Sequence, residues 1–136
     1  MRGLHATASP HALRAIRKGA AWLCTVQNED GGWGESCLGY AKSRFVRAAS
    51  TPTQTAWALL GLSVTDGLQT SAVRRGIQWL LDHQRPDGTW EEKLTTGTGF
   101  PNVFYLSYHM YRNYFPLFAL SQFSKRSVEH GRISVT

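Results

Sequence analysis

The stretch Arg17-Lys18-Gly19-Ala20-Ala21-Trp22-Leu23 recurs as Arg74-Arg75-Gly76-Ile77-Gln78-Trp79-Leu80. The stretch Gln27-Asn28-Glu29-Asp30-Gly31-Gly32-Trp33 recurs as Gln84-Arg85-Pro86-Asp87-Gly88-Thr89-Trp90, at the same offset of 57 residues. The chain therefore contains a duplicated unit, in which a basic-Gly-x-x-Trp-Leu segment precedes a Gln-x-x-x-Gly-x-Trp segment. Such duplication indicates a repeat architecture, whose neighbouring units bury each other's apolar faces.

Each unit is predicted to begin with a helix and to contain a second one. Ser9 before Pro10, Thr51 before Pro52, and either Thr70 or Ser71 are helix-start signals, because a hydroxyl caps free N–H groups and proline fits the first turn. Apolar residues at helical spacing then predict three helical faces. These faces are Leu13, Ile16, Ala20 and Leu23; Ala56, Leu59, Leu60 and Val64; and Val73, Ile77, Leu80 and Leu81. Asp30-Gly31-Gly32, Asp66-Gly67 and Pro86-Asp87-Gly88 are the predicted helix ends.

The last third of the chain is rich in aromatic residues. Nine of the sixteen Trp, Tyr and Phe residues lie between Phe100 and Phe123. We expect an aromatic helix from about Asn102 to Asn113, and a separate final helix that Pro116 opens. No segment predicts a strand, so the predicted class is all-α. The predicted organisation is a lead-in over residues 1–11, helix-pair repeats over 12–124 and a polar, frayed tail over 125–136.

Composition excludes several classes of protein. With 42% hydrophobic and 18% charged residues, the 136-residue chain is typical of a folded domain. No stretch approaches the ~18 apolar residues of a membrane-spanning helix. The net charge of +6 comes from dispersed basic residues without a nucleic-acid-binding motif, so no nucleic-acid partner is expected. The two cysteines form no CxxC and the five histidines are scattered, which predicts no metal site.

The repeated motif has a structural interpretation. Glycine permits the turn that closes each helix. The glutamine can hydrogen-bond backbone groups at a neighbouring helix end, and the tryptophan can pack there with its N–H satisfied. We therefore assign structural roles to Gln27, Gly31, Trp33, Gln84, Gly88 and Trp90.

Two copies of this motif, followed by Gly97-Thr98-Gly99-Phe100-Pro101, resemble the C-terminal end of the squalene-hopene cyclases, a branch of the triterpene cyclases. The stretch Phe104-Tyr105-Leu106-Ser107-Tyr108-His109-Met110-Tyr111-Arg112-Asn113-Tyr114-Phe115-Pro116 has the same resemblance, as does Ser50-Thr51-Pro52-Thr53-Gln54-Thr55-Ala56-Trp57-Ala58-Leu59. The order and spacing of these motifs make the resemblance specific over residues 12–123.

The resemblance implies a fold, a reaction and a location. Members of the family fold as α/α toroids, so residues 12–124 would form part of an incomplete (α/α)6 barrel. They bind the membrane surface as monotopic proteins, which implies a membrane-associated protein at the cytoplasmic face. They convert squalene or a similar polyprenoid to hopene-type pentacyclic triterpenes by cationic polycyclisation. This isomerase reaction starts at the middle Asp of an Asp-x-Asp-Asp motif and needs no cofactor.

The chain departs from the family pattern because it contains no Asp-x-Asp-Asp. Its four aspartates are Asp30, Asp66, Asp82 and Asp87. Protonating an alkene needs an unusually strong acid, which one isolated carboxyl does not provide. The chain is therefore expected to be a C-terminal fragment that is inactive alone, with no catalytic acid among its own residues. The rest of a cyclase chain or a partner subunit would supply the acid.

Four aromatic residues are the candidate binding site for the substrate and its cations: Phe100, Phe104, Tyr108 and Tyr111. The last three are spaced i, i+4 and i+7, which predicts one helical face. The resemblance assigns cation stabilisation to Phe100 and Phe104, whereas Tyr108 and Tyr111 would line or support the cavity. An aromatic stripe at helical spacing is more often core than site, and we assign Tyr105, Tyr114, Phe115 and Phe118 to the core.

Two other functions remain open at this point. A non-catalytic helical-repeat module that binds an apolar ligand or a partner chain would also explain the missing acid. A protein prenyltransferase β-type subunit shares the toroid architecture but would need a zinc triad of Asp, Cys and His, for which the sequence offers no convincing candidates.

Overall fold

A computed structural model of the chain describes residues 9–65 and 70–133, together with residues 1, 3 and 6. Helices account for most of the described secondary structure. In chain order the elements are α1 (Pro10–Val26), α2 (Leu38–Lys42), α3 (Pro52–Leu62), α4 (Ser71–Asp82), β1 (Thr98–Phe100), β2 (Phe104–Leu106) and α5 (Tyr111–Ile133).

The three predicted helix starts are confirmed. The side chain of Ser9 accepts a hydrogen bond from the backbone N–H of Ala12, and Thr51 and Thr70 cap α3 and α4 in the same way. Pro10 and Pro52 occupy the first helical turn. Helix α3 ends at Leu62, before the predicted end at Asp66-Gly67, which lies outside the described residues.

Helix α3 lies at the centre of the fold and packs against α1, α4 and α5. Most of its residues are buried, and Leu59 is fully inaccessible to solvent. Leu80 and Val73 of α4 join the same apolar core, to which α5 contributes Ala119 and Phe123. The predicted faces are only partly buried, since Leu13 and Leu81 are exposed.

A carboxylate from the second repeat closes the start of this central helix. Glu92 accepts hydrogen bonds from the backbone N–H of Thr53 at 2.8 Å and from its hydroxyl at 3.0 Å. A negative charge at a helix N-terminus satisfies free donors and interacts favourably with the helix dipole. The two repeats are thereby joined through polar contacts as well as through the core.

The prediction that the chain contains no strand is wrong. Strands β1 and β2 form an antiparallel hairpin, in which Phe100 pairs with Phe104. The connection is a turn closed by a hydrogen bond from Val103 N to Phe100 O, with Pro101 and then Asn102 at φ 62°. Proline followed by a residue with positive φ is typical of a type II turn. The predicted helix from Asn102 to Asn113 is replaced by this hairpin, and α5 begins only at Tyr111.

Helix α5 differs from prediction at both ends. Pro116 lies inside it and does not open a separate helix. Proline has no backbone N–H, so the carbonyl of Arg112 loses its usual helical donor. The helical backbone also continues through Ile133, where a frayed tail was predicted from residue 125. The loop over residues 33–50 contains the short helix α2, and Glu35 and Arg47 form an isolated β-bridge there.

Candidate functional site

Phe100 and Phe104 lie side by side on the hairpin. Their ring centroids are 5.2 Å apart and their planes are tilted by 59°. Cross-strand partners place their side chains on the same face of a sheet, which explains the contact. Phe100 is 65% exposed and Phe104 is 46% exposed, so a face of each ring remains open to a ligand.

Tyr108 and Tyr111 form a second pair, where the chain enters α5. Their rings stack with centroids 4.9 Å apart. Tyr111 also makes edge contacts with Phe115 at 5.0 Å and Trp57 at 6.0 Å. Tyr108 is exposed, whereas Tyr111 is half-buried. Tyr111 thus contacts the exposed ring of Tyr108 on one side and the partly buried rings of Phe115 and Trp57 on the other.

The prediction that Phe104, Tyr108 and Tyr111 share one helical face is wrong. Phe104 lies on β2, Tyr108 lies in the connection, and only Tyr111 lies on a helix. The four aromatic residues instead form two separate pairs, Phe100–Phe104 four residues apart on the hairpin and Tyr108–Tyr111 three residues apart at the start of α5. The assignment of core positions also needs a correction, since Tyr114 is 57% exposed. Phe115 and Phe118 pack against the core.

The hairpin is held by the loop between α1 and α3. The hydroxyl of Tyr40 donates to the carbonyl of Gly97 at 3.1 Å. The hydroxyl of Tyr105 donates to the carbonyl of Cys37 at 3.3 Å, and the two tyrosine rings stack with centroids 6.1 Å apart. Sequence reasoning missed Tyr40 and Trp57, because contacts across more than fifty residues leave no local periodicity.

The two copies of the repeated motif have matching hydrogen bonds. The indole N–H of Trp33 donates to Leu23 O, and that of Trp90 donates to Leu80 O, both at 2.8 Å. The side-chain amides of Gln27 and Gln84 donate to Gly31 O at 2.7 Å and Gly88 O at 3.0 Å. Both glycines have positive φ, of 95° and 82°. These contacts close each helix and its following turn into one unit.

The aspartates of the two turns act as hydrogen-bond acceptors. Asp30 accepts from Gly32 N at 2.9 Å and from the indole N–H of Trp79 at 3.1 Å. Asp87 accepts from the hydroxyl and backbone N–H of Thr89, and these hydrogen bonds lower the pKa of its carboxyl. A lowered pKa keeps Asp87 ionised at neutral pH, so it holds no proton for an alkene. The hydrogen bond from Arg85 likewise lowers the pKa of Glu91.

One polar atom near the aromatic pairs has no partner. The Nε of Arg112 is buried and makes no hydrogen bond with the part of the chain that the structure describes. Within those same residues, no group of three or more His, Cys, Asp and Glu side chains could hold a metal ion. Among the described residues, the candidate site therefore consists of aromatic rings, with the Arg112 side chain nearby.

Residues 1–125 match the family of the squalene-hopene cyclase C-terminal domain. The chain belongs to this family. The squalene–hopene cyclase of Zymomonas mobilis is 51% identical over 122 residues, covering 88% of this chain and 18% of that protein. The squalene–hopene cyclase of Alicyclobacillus acidocaldarius is 49% identical over 97 residues, covering 71% of this chain and 15% of that protein. The dammaradiene synthase of Dryopteris crassirhizoma is 42% identical over 126 residues, covering 82% of this chain and 18% of that protein.

This chain of the squalene-hopene cyclase family spans less than a fifth of the length of these relatives. The segment matched to the family, residues 1–125, includes both turns, the hairpin and the start of α5. All four aromatic candidates therefore lie inside the family domain. No helix among the residues described reaches the combined length and apolarity that crossing a bilayer requires.

Proposed function

We propose that this chain forms part of the aromatic cavity wall of a triterpene cyclase that converts squalene or a similar polyprenoid to hopene-type products. In this proposal the helix pairs belong to an α/α toroid, which further chain completes. The observation that supports it best is the Phe100–Phe104 pair, because two exposed rings face one side of a hairpin inside the family domain.

The chemistry of the reaction explains why such rings are useful. An acid adds a proton to a terminal alkene, and the π electrons of successive alkenes then form new carbon–carbon bonds while the cation moves along the chain. Proton loss or water addition ends the sequence. A cation over an aromatic face gains ~0.5–2 kcal/mol, more when water is excluded. A phenylalanine ring has no heteroatom that could capture the cation, so it stabilises the intermediate without ending the reaction.

The two aromatic pairs would have different roles, one in stabilising cations and the other in shaping the cavity wall. Phe100 and Phe104 would face late cations, since their open faces share one side of the hairpin. Tyr108 and Tyr111 would shape the adjacent wall, because Tyr111 is anchored against Trp57 and Phe115. The acid would come from an Asp-x-Asp-Asp motif outside these 136 residues, which contain none. The net charge of +6 supports a further proposal of binding at an anionic membrane surface.

The test replaces the matching C-terminal segment of a full-length squalene-hopene cyclase by residues 1–125. In this chimera, Phe104→Ala removes one ring face. Losing ~1.4 kcal/mol at one cation slows that step about tenfold, so incompletely cyclised products should accumulate. Phe104→Trp retains a ring and should preserve more complete cyclisation. Gas chromatography of the products measures the ratio.

Phe118→Ala is the matched control, since Phe118 is on α5 and packs against the core. It should lower the melting temperature and leave the product ratio unchanged. An unaltered product ratio in an active Phe104→Ala chimera would return Phe104 to a packing role and contradict the proposed cavity.

One observation favours a second candidate, a module that binds an apolar ligand without catalysis. A cleft of about 350 Å³ lies beside α1 and α3, and its lining includes Trp22, Trp33, Tyr40, Phe45 and Trp57. Such a module would bind squalene with quenching of tryptophan fluorescence in the isolated chain. Substitutions of the cleft residues would then leave the products of the chimera unchanged.

A further inference from the structure

Residues 90–92, which we call the clamp segment, contact the first turns of two different helices. The backbone N–H of Trp90 donates to Asn113 Oδ1 at 3.1 Å, near the start of α5. Two residues later, the carboxylate of Glu92 accepts from the backbone N–H and the hydroxyl of Thr53, near the start of α3. The clamp segment therefore links α3 to α5 by hydrogen bonds at both of its ends.

The clamp segment is itself anchored in the core. The side chain of Trp90 is fully buried, and its indole N–H donates to Leu80 O of α4 at 2.8 Å. Thr53 is also fully buried. Hydrogen bonds of buried groups are directional and costly to leave unmade, whereas apolar packing is non-directional. These hydrogen bonds therefore specify where the two helix starts lie.

The two attachment points lie beside the contact between the candidate site and α3. Trp57 is four residues after Thr53, so the two residues lie one turn apart on the same side of α3. The ring of Trp57 meets Tyr111 edge-on with centroids 6.0 Å apart, and meets Phe115 with centroids 5.4 Å apart. Asn113 lies between these two aromatic residues in the sequence of α5. The clamp segment thus holds the two helices next to the place where their aromatic side chains meet.

The first repeat contains the equivalent of one of these contacts. The backbone N–H of Trp33 donates to Thr55 Oγ1 at 3.0 Å, as that of Trp90 donates to Asn113. The two tryptophans are 57 residues apart and the two acceptors are 58 residues apart. A hydrogen bond from this tryptophan to the next long helix is therefore a feature of the repeat. In the second repeat, Glu92 adds a link back to α3.

We propose that Glu92 and Asn113 are positioning residues of the aromatic cavity. Because the clamp segment holds α3 and α5 in a fixed relation, it keeps Trp57 against Tyr111. Tyr111 stacks on Tyr108 with centroids 4.9 Å apart, so the same contact determines where this pair lies. The two positioning residues act through these rings and not by contact with the substrate. This inference rests on the proposed function, in which the tyrosine pair shapes the cavity wall.

The test uses the chimera in which residues 1–125 replace the matching segment of a full-length squalene-hopene cyclase. Asn113→Ala removes the acceptor for the Trp90 N–H, and Glu92→Ala removes both acceptors for Thr53. Each variant should raise the ratio of incompletely to fully cyclised products about fivefold, because one net hydrogen bond no longer favours the productive geometry. Gas chromatography of the products measures this ratio.

Two conservative variants should restore the native products. Asn113→Asp retains an oxygen that accepts from the Trp90 N–H. Glu92→Gln retains an oxygen for the N–H of Thr53 and gains an amide that can donate to the Thr53 hydroxyl oxygen. Both variants should therefore have a product ratio close to that of the parent chimera. This rescue depends on the hydrogen bonds, since the alanine variants differ from the conservative ones in that respect.

The double variant tests whether the two contacts act as one link. The clamp segment connects α3 to α5 in series, so breaking either contact releases the same constraint. Asn113→Ala combined with Glu92→Ala should therefore have the product ratio of the worse single variant. Glu91→Ala is the charge control, since this exposed carboxylate pairs with Arg85. Phe118→Ala is the stability control, and neither control should change the product ratio.

Hydrogen exchange, followed by mass spectrometry of the chimera, tests the contacts without reference to activity. The amide of Thr53 should exchange faster in Glu92→Ala, and that of Trp90 should exchange faster in Asn113→Ala. Native exchange in both variants would show that the clamp segment does not hold the helices.

The products distinguish failure of this inference from failure of the proposed function. Alanine variants with the parent's product ratio would overturn the inference if Phe104→Ala changes that ratio, because the cavity would then exist without the clamp segment. Effects that multiply in the double variant would also overturn it, since the two contacts would then act separately. A ratio that is unchanged in Phe104→Ala as well would contradict the proposed function, and the inference with it.

Discussion

Asp30 and Asp87 occupy the same position of the repeated motif and both serve as turn acceptors. Each uses one carboxylate oxygen for donors two residues further along the chain, at Gly32 and Thr89. The two aspartates differ in the other oxygen, which receives the indole of Trp79 at Asp30 only. The aspartate therefore accepts hydrogen bonds within its own turn in both repeats. In the first repeat it also accepts one from Trp79 of the neighbouring helix α4.

The pKa of Asp87 gives a direct test of the local role. Hydrogen bonds from Thr89 hold it below the ordinary value of 3.8. The folded pKa lies below the unfolded one, so the associated stability is present above pH 3.8 and is lost as the pH falls through the folded pKa. Thr89→Val removes the hydroxyl at nearly constant shape and should raise the pKa of Asp87, as measured by carboxyl NMR titration.

Thr89→Ser provides the matched control because it retains the hydroxyl. Its Asp87 should titrate close to the native value. Equal Asp87 pKa values in the valine and serine variants would mean that the hydroxyl does not stabilise the carboxylate.

At the scale of elements, the hairpin depends on a glycine that no other residue replaces easily. Gly99 has φ 129°, and a Cβ there would lie 2.6 Å from the carbonyl oxygen of Phe104. Gly99→Ala should therefore open the hairpin, at a cost of ~1–3 kcal/mol from the backbone conformation plus the clash. Hydrogen exchange of the amides in β1 and β2 should become faster.

Gly88→Ala separates the cost of the backbone conformation from the cost of the steric clash. Gly88 also has positive φ, at 82°, but open space surrounds its Cβ position. This variant should lower the free energy of unfolding by ~1 kcal/mol and leave hairpin exchange unchanged. Hairpin exchange that is as slow in Gly99→Ala as in Gly88→Ala would show that the close backbone contact does not form.

Tyr40 is expected to position the hairpin from the neighbouring loop. Tyr40→Phe keeps the ring against Tyr105 and removes the hydrogen bond to Gly97 O. A net loss of about 1 kcal/mol should accelerate amide exchange in the hairpin several-fold. Tyr114→Phe, at an exposed position of α5, should have no such effect. Native exchange rates in Tyr40→Phe would show that the Tyr40 hydroxyl does not position the hairpin.

The sequence predicted those elements whose signals are local. Ser9 and Thr51 cap helices by contacts three residues away, so the local motif identifies them, whereas the choice of Thr70 over Ser71 came from the structure. The hairpin was missed because a spacing of four also fits cross-strand partners around a three-residue turn. Pro116 was misassigned because tertiary packing against α3 outweighs the cost of proline within a helix.

The residues of the candidate site stay a prediction from the sequence, and their geometry was not predicted. The aromatic composition and the motif resemblance selected Phe100, Phe104, Tyr108 and Tyr111, of which the first three are exposed and Tyr111 is half-buried. Their arrangement as two pairs depends on β pairing and on Trp57 of α3, which contacts Tyr111 from a distant element. Long-range contacts of this kind leave no periodic pattern in one sequence.

At the scale of the whole molecule, the proposed function would separate the reaction into initiation and stabilisation. The described residues provide aromatic faces, while the aspartates at 30 and 87 are engaged as turn acceptors. Hydrogen bonds from Thr89 lower the pKa of Asp87, so this carboxylate holds no proton for an alkene at neutral pH. The chain is therefore expected to stabilise cations that it does not generate.

The purified chain incubated with squalene in detergent should consequently yield no cyclic triterpene by gas chromatography. A full-length squalene-hopene cyclase in the same detergent is the positive control, because it shows that substrate and conditions permit the reaction. Adding a separate N-terminal segment that contains Asp-x-Asp-Asp should restore product if the two parts assemble. Hopene formed by the purified chain alone would place a competent acid within these residues and contradict the division between initiation and stabilisation. Product that appears only with the added segment would support it, since the aromatic wall and the acid would then have come from different chains.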